Sequence, residues 1–462
     1  MKFGGTSVAD AASISRVVEI IHRQYSAGNE VAVVISAQRG VTDQLIAIAT
    51  ELVDSPGCDM IVPLIESLRT RHVKALEGSA KDYVEEVTPL IEKRLKSLQN
   101  ILSAVHNLRE LTPRSKDYII TFGERLNALV VSAAFRQRGI PSSVLDGCEA
   151  GILTTPQHGE SMALPEGERK IKSRVLPLLS NQVPVIMGFM GCTENGIVTT
   201  LGRSGSDYSA AIIGAGIDAD EIWIWTDVDG IMTSDPRLIK DARVLDSVSY
   251  LEVMELSFFG AKVMHPRSIE PAMKKDILVR VKNTFNPDHP GTSIVRDAKR
   301  DNRVVKAITY IEKVAALNIN GAQMIGRPGV ARAIFTALSE SEVNIMMISQ
   351  GSSEANISLI IDEAQAGAAT GSLEALVAQG IVREVTLDRD VCAVAVVGAG
   401  MAGAKGTGGR IFTALGRADV NVMMISQGSS EVNISFVVKQ EDGPRAVRVL
   451  HDEFRLSEEC DD

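Results

Sequence analysis

No uninterrupted apolar run in the 462-residue sequence reaches the ~20 residues that a membrane span needs. Met1 leads straight into KFGGTSV rather than into a basic segment and an apolar core, so neither export nor anchoring is expected, and the cytoplasm is the expected location. Cysteine is scarce: Cys58, Cys148, Cys192, Cys392 and Cys460 are odd in number, far apart and never in a CxxC arrangement, which points away from a zinc site or a disulfide framework. Long basic tracts are missing too. The net charge is -10 with both signs mixed along the chain, so nucleic acid is not an expected partner. Aromatic residues make up only 4% while glycines number 38, a balance that suits small-residue loops between α/β layers.

What is present is enough chain for roughly three domains of ~150 residues, with 45% hydrophobic residues to build their cores. The first ~300 residues alternate short β-branched runs with longer helical patterns, the mark of βαβ units and a parallel or mixed sheet. VAVVISA (31–37), VPVIMGF (183–189) and EIWIWTD (221–227) are the clearest strands. Between Cys58 and Val105 the pattern is that of a charged amphipathic helical hairpin.

The later part contains a repeat. MMISQGSSE occurs at 346–354 and again at 423–431, each followed one residue later by NIS, and Val314 aligns with Val391 at the same offset of 77 without a gap. Each copy reads strand, helix, strand, strand. Two such units form a paired module rather than a solenoid, and the join with the first part falls around 291–304, where PDHPG and RDAKRDNR separate apolar segments.

Four segments carry chemistry. KFGGTSV (2–8) sets a lysine beside two glycines at the end of the opening strand, where backbone N–H groups can approach phosphate oxygens; a plain glycine turn reads equally well, and the spacing is not that of a Walker A loop. LGRSGSDYSA (201–210) offers Arg203 to a carboxylate ahead of a helix start, or is simply a capped helix. WTDVDGIMTSDPR (225–237) ends a strand with Asp227, Asp229 and Asp235, where ligands sit in open α/β sheets, or is an acidic turn. FGERLNA (122–128) places Glu124 in a first helical turn, for which the helix dipole is the ordinary explanation.

Together with ELSFFGAKVMHPR and the two SQGSSExNIS copies, these segments resemble the aspartate kinase family over essentially the whole length. The resemblance implies an α/β architecture: an amino-acid-kinase fold, an open αβα sandwich over 1–296, followed by two ACT modules of ferredoxin-like βαββαβ type at 304–380 and 381–462, with strands exchanged between them. It implies ATP and Mg2+ as cofactors, and ATP contacts at Lys2, Gly4, Gly5, Thr226, Asp227, Met232, Arg237 and Lys262. Met232 stands where relatives usually carry a tyrosine, which removes a ring contact. L-Aspartate would meet Ser36, Thr42, Glu124, Phe189, Arg203 and Ser206, with Lys2, Arg203 and Asp207 catalytic and Asp207 orienting Lys2. No metal ligand set is implied. An end-product amino acid, threonine favoured over lysine, would bind at Gln350, Asn356, Gln427 and Asn433, and pairing of ACT modules would give a homodimer or a dimer of dimers. The chain opens at Lys2 without the apolar residues that relatives often have there, and stops at Asp462, short of a fused homoserine dehydrogenase.

The chemistry agrees with that implication. A carboxylate with a pKa near ~3.9 is already ionised at neutral pH, so no general base is required; the site must supply positioning and positive charge, each such donor contributing on the order of 2.7–4 kcal/mol. GAGMAG (398–403) fits a dinucleotide pattern, but its sister copy reads GAQMIG (321–326), so it belongs to the repeat. Asn356 and Asn433 match a glycosylation pattern within expected strands, and His265 before Pro266 is a loop or structural residue. Another amino-acid kinase and a noncatalytic sensor are the competing readings.

Overall fold

The β-branched runs do form strands, and each helical pattern between them returns the chain to the same sheet. In the computed structural model, residues 1–260, 264–298, 303–351 and 355–458 are described, without the side chain of Gln323. They divide into two units: Met1–Ile231 with Asp246–Tyr250 and Val263–Ala298, and Met232–Leu245 with Leu251–Lys262 and Lys299–Asp462.

In the first unit the strands are β1 (Lys2–Phe3), β2 (Val33–Ile35), β3 (Ser142–Leu145), β4 (Val183–Met187), a separate hairpin of β5 (Met190–Cys192) and β6 (Val198–Thr200), then β7 (Glu221–Thr226), β8 (Ser247–Ser249), β9 (Leu278–Asn283) and β10 (Thr292–Val295). Among the described residues eight of these make one sheet in the order β3-β4-β2-β1-β7-β9-β10-β8. Every neighbour pair is parallel except β9 with β10. All residues of β2 and β4 are buried, as expected of parallel strands covered on both faces. Strand order turns back at β1, and ligands of open α/β sheets bind at such a switch point, beyond the carboxyl ends of the strands.

The helices cover this sheet for reasons legible in their spacing. Ala11–Ser26 starts at Asp10, whose carboxylate accepts from the Ser13 N–H, and buries Ile14, Val17, Val18 and Ile21 along one stripe. The expected hairpin is Ile61–Ser79 and Val84–Leu108, the latter burying Val87, Ile91, Leu95, Leu98 and Leu102. Each such leucine contributes roughly 1.5–3 kcal/mol by leaving water. The Gly205–Gly216 helix is buried throughout, which explains its small residues.

The second unit holds the repeat. Its strands are β11 (Ala307–Asn320), β12 (Ile345–Gln350), β13 (Asn356–Asp362), β14 (Glu384–Val397), β15 (Met424–Gln427) and β16 (Asn433–Lys439). They form an antiparallel sheet in the order β12-β13-β11-β14-β16-β15. The long central strands exchange halves: Leu317–Asn320 pairs with Leu387–Glu384, whereas Ala307–Ile311 pairs with Val397–Ala393. Val314 faces Val391, so the two residues related by the 77-residue offset meet at the pseudo-twofold centre of the ladder. Each copy also has a second helix that the strand-helix-strand-strand reading lacks, Ala366–Ala378 and Gly443–Glu453. The GAGMAG segment is a short 3-10 turn at Ala399–Met401, matched by Ala322–Met324 in the other copy.

In the second unit 232–245 and 251–262 cluster with the repeat. The Glu252 carboxylate accepts from the Ala399 N–H at 2.7 Å and faces Lys306 at 3.6 Å, both side chains being buried. Asn433 donates to Glu255 at 2.8 Å, and Thr233 bonds His451 at 3.0 Å. Among the described residues no helix is long and apolar enough to cross a membrane. Cys58, Cys148, Cys192 and Cys392 are free thiols, and Cys460 lies outside the described residues.

Candidate active site

At the switch point of the first unit the strand ends open into a cleft of about 780 Å³. Lys2 belongs to β1 and is pinned by pairing on both sides, to Val34 of β2 and Ile224 of β7. Its Nζ lies 2.6 Å from the Asp207 carboxylate, in the first turn of the Gly205–Gly216 helix, and both residues are buried. An ion pair so withdrawn from water fixes the ammonium in one place. Gly4 donates its N–H to the Trp225 carbonyl, and a Cβ on it would lie 3.5 Å from the Lys2 Nζ. Gly5 has a firmer reason to be glycine: a Cβ there would come within 2.9 Å of the Ala37 carbonyl.

Glu124 enters from the Phe122–Gln137 helix and is 3% exposed. One carboxylate oxygen accepts from the Ala37 N–H at 3.0 Å; the other has no partner among the described residues. Burial pushes its pKa up to about 8, a hydrogen bond from Ala37 opposing the shift. Asn127, one turn on, donates to the Ser36 carbonyl at 2.8 Å and so holds the end of β2 at the cleft. Arg203 is exposed on the rim and has no carboxylate partner among the described residues. Phe189 at φ 69° and Ser204 at φ 51° hold left-handed backbone on either side of the hairpin, conformations costly for such residues and found where surrounding structure imposes them.

Lys2, Gly5, Ser36, Thr42, Glu124, Phe189, Arg203, Ser206 and Asp207 therefore share one cleft. Thr226 and Asp227 sit where β7 ends, next to β1, with the Thr226 hydroxyl donating to Asp227 at 3.2 Å. Met232 and Arg237 fall in the second unit, where Met232 bridges Val244 and Arg237 is paired with Asp235. Lys262 lies outside the described residues. His265 caps the Pro266–Lys275 helix by accepting from the Arg267 N–H. The cleft residues that escaped the sequence reading include Asp117, an apparent helix-surface acid in SKDYII, and His158 in a Gly-containing loop. No local pattern marks either.

In the second unit Gln350 lines a separate pocket of about 380 Å³ with Met324, Arg327, Val330 and Ile357. Asn356 accepts from the Gly351 N–H at 3.1 Å, Gln427 is exposed on β15, and Asn433 is engaged by both Glu255 and Ser435. Ser352, Ser353 and Glu354 of the first SQGSSE run lie outside the described residues.

The sequence profile of the amino acid kinase family matches residues 1–283. The chain belongs to that family. An ACT domain profile matches twice more, at 317–376 and 394–454, which places the chain among the amino acid kinases with paired ACT domains. It is 32% identical to aspartokinase 2, chloroplastic, of Arabidopsis thaliana over 98% of this chain and 84% of that protein. It is 34% identical to bifunctional aspartokinase/homoserine dehydrogenase 1 of Zea mays over 99% of this chain, and spans about half the length (50%) of that relative. In structure it superposes on E. coli aspartokinase III in complex with aspartate and ADP (R-state) with a TM-score of 0.83 at 27% identity, covering 98% of this chain and 99% of that one. The lysine and aspartate complex of the same enzyme (T-state) gives 0.79 at 27% identity, with 98% of both chains covered.

Proposed function

We propose that this chain is an aspartate kinase, transferring the ATP γ-phosphate to the side-chain carboxylate of L-aspartate to give 4-phospho-L-aspartate. The observation that carries this reading is the convergence on one cleft of the buried Lys2–Asp207 pair with a Glu124 oxygen and an Arg203 guanidinium that have no carboxylate or hydrogen-bond partner of their own among the described residues. Arg203 offers a fork for the α-carboxylate and Glu124 an acceptor for the ammonium, which turns the side-chain carboxylate toward Lys2. That carboxylate is the nucleophile. Its oxygen bonds to the γ-phosphorus as the bond to the β-phosphate bridging oxygen breaks, and ADP leaves with the electron pair. Lys2 offsets the charge of two approaching anions, and Asp207 keeps its ammonium in place.

Among the described residues no group of three or more His, Cys, Asp or Glu side chains could cage a metal ion. A magnesium ion carried on the nucleotide phosphates and water would need few protein ligands. Gly4, Gly5, Thr226 and Asp227 are our nucleotide contacts; Met232, Arg237 and Lys262 remain assigned by resemblance alone. The family boundaries we favour are a catalytic part to 296 and ACT modules at 304–380 and 381–462. We further infer feedback inhibition by an end product of lysine, threonine and methionine biosynthesis, with threonine favoured because both copies read SQGSSE. A cytoplasmic location and self-association through the ACT sheet, whose edge strands expose Ile348 and Ile425, complete the reading.

The test is ADP formation by Lys2→Ala and Asp207→Ala. Each should lower aspartate-dependent turnover by at least about 100-fold, the effect of losing one preorganised charge, with an unchanged circular dichroism spectrum. Wild-type rates in either variant would overturn the assignment.

A further inference from the structure

Asp117 has no part in the reaction as described, yet it is the most fully engaged carboxylate on the cleft wall. It lies in the Pro113–Ile120 helix and is 1% exposed. His158 Nδ1 bonds one of its oxygens at 2.6 Å, the Gly159 N–H is shared between both at 3.0 and 3.1 Å, and Thr200 gives its N–H at 3.2 Å and its hydroxyl at 2.5 Å. An ionised carboxylate only accepts, so His158 carries its proton on Nδ1 in this arrangement. These donors come from segments 41 and 83 residues away in the chain.

What they share is the way to Arg203. Thr200 ends β6, three residues before Arg203, and the Thr200 carbonyl accepts from the Ser161 N–H at 2.9 Å. Between them Gly202 turns at φ +76°, and a Cβ there would meet the Gly159 carbonyl at 3.1 Å. Gly159 is the residue whose N–H Asp117 holds. One carboxylate thus fixes both the strand that delivers the Arg203 turn and the loop on which that turn rests. The nucleotide contacts Lys2, Gly4, Gly5, Thr226 and Asp227 share no bond with it.

From this geometry we infer that Asp117 is a positioning residue for the aspartate subsite, acting through Thr200 and Gly159 to set Arg203. The inference rests on the aspartate kinase reading for its substrate but not for its geometry. A buried carboxylate serving the fold alone would affect both substrates; a positioning role affects one.

The experiment is Asp117→Asn in the full chain. A carboxamide accepts at one oxygen only, and its NH2 opposes the Gly159 or Thr200 donors. The KM for aspartate should rise about 10-fold or more while that for ATP stays within about 2-fold. Amide hydrogen exchange in 157–161 and 198–204 should accelerate, with the β1, β2 and β7 ladder unchanged. Thr200→Val, which deletes only the hydroxyl bond, should shift the same KM by about 3-fold and carries the test if the first variant does not fold. An equal rise in both KM values, or unchanged exchange in the two segments, would overturn the inference. Absence of aspartate turnover in the wild type would instead remove the functional reading, and the exchange comparison would still decide whether Asp117 holds the Arg203 turn.

Discussion

Each unit buries a glutamate, and the two are treated in opposite ways. In the first, Glu124 is buried with one oxygen that has no partner among the described residues, and Arg203 on the same cleft has no carboxylate partner among them. In the second, Glu252 is buried against Lys306 and the Ala399 N–H, and Asn433 is engaged by Glu255 and Ser435. Burial alone therefore does not mark a site. A polar group taken out of water without a partner costs stability, and its retention points to a ligand that supplies the partner. The same contrast separates the two copies of the repeat: Gln350 faces a pocket, whereas Asn433, the counterpart of Asn356, is already bonded to a segment that lies within the kinase match.

The largest effect should come from breaking the paired side. Glu252→Ala removes the buried carboxylate that faces Lys306 and accepts from the Ala399 N–H, and breaking a buried pair of this kind typically costs about 3–5 kcal/mol. A thermal melt should show a large loss in Tm, and a shift of a degree or two would mean that the pair is not structural.

Glu124→Gln should do the reverse. The folded pKa of about 8 lies above the ordinary carboxylate value of 4.5, so the folded chain retains a proton that the unfolded chain releases. Stability then falls as pH rises between those values, by at most about 1.4 kcal/mol per pH unit. The variant, which cannot ionise, should match the wild type near the lower value and melt progressively higher than it as pH approaches the upper one, while losing aspartate binding. Parallel melting curves across that window would show that the carboxylate is not held neutral.

A smaller difference should separate the repeat copies. Gln350→Ala should weaken amino-acid inhibition about 10-fold, a coupling of ~1.4 kcal/mol, against less than about 2-fold for Gln427→Ala. Equal effects would make the copies equivalent sensors. The smallest contrast is in stability: Asn433→Ala should cost about 1–2 kcal/mol through its bond to Glu255 and Asn356→Ala about half of that, because its bond is a local turn, a gap of about 0.5–1 kcal/mol; chemical denaturation of both variants checks the order.

Much of the architecture was legible because it is local or repetitive. β-branched runs marked β2, β4 and β7, and the 77-residue offset marked two copies of one unit, though not that Val314 would face Val391. The site was legible only in pieces. Lys2 and Asp207 are separated by most of the first unit, and it was resemblance rather than spacing that joined KFGGTSV to LGRSGSD. Asp117 had no sequence signal, since its importance lies in donors from remote segments. The helix at Ala366–Ala378 is so rich in Ala and Gly that its apolar stripe is faint, and the attachment of 232–245 and 251–262 to the repeat depends on tertiary partners such as Glu252 and Ala399.

The most direct measurement is hydroxylamine trapping of acyl phosphate by the purified full chain with ATP and magnesium, supplied with aspartate, glutamate or no acceptor, each with and without threonine or lysine. Aspartate-dependent hydroxamate, suppressed by one of the two amino acids, is the predicted result. ATP turnover indifferent to the acceptor, or none at all, would contradict an aspartate-phosphorylating cleft and leave the chain a sensor of amino acids.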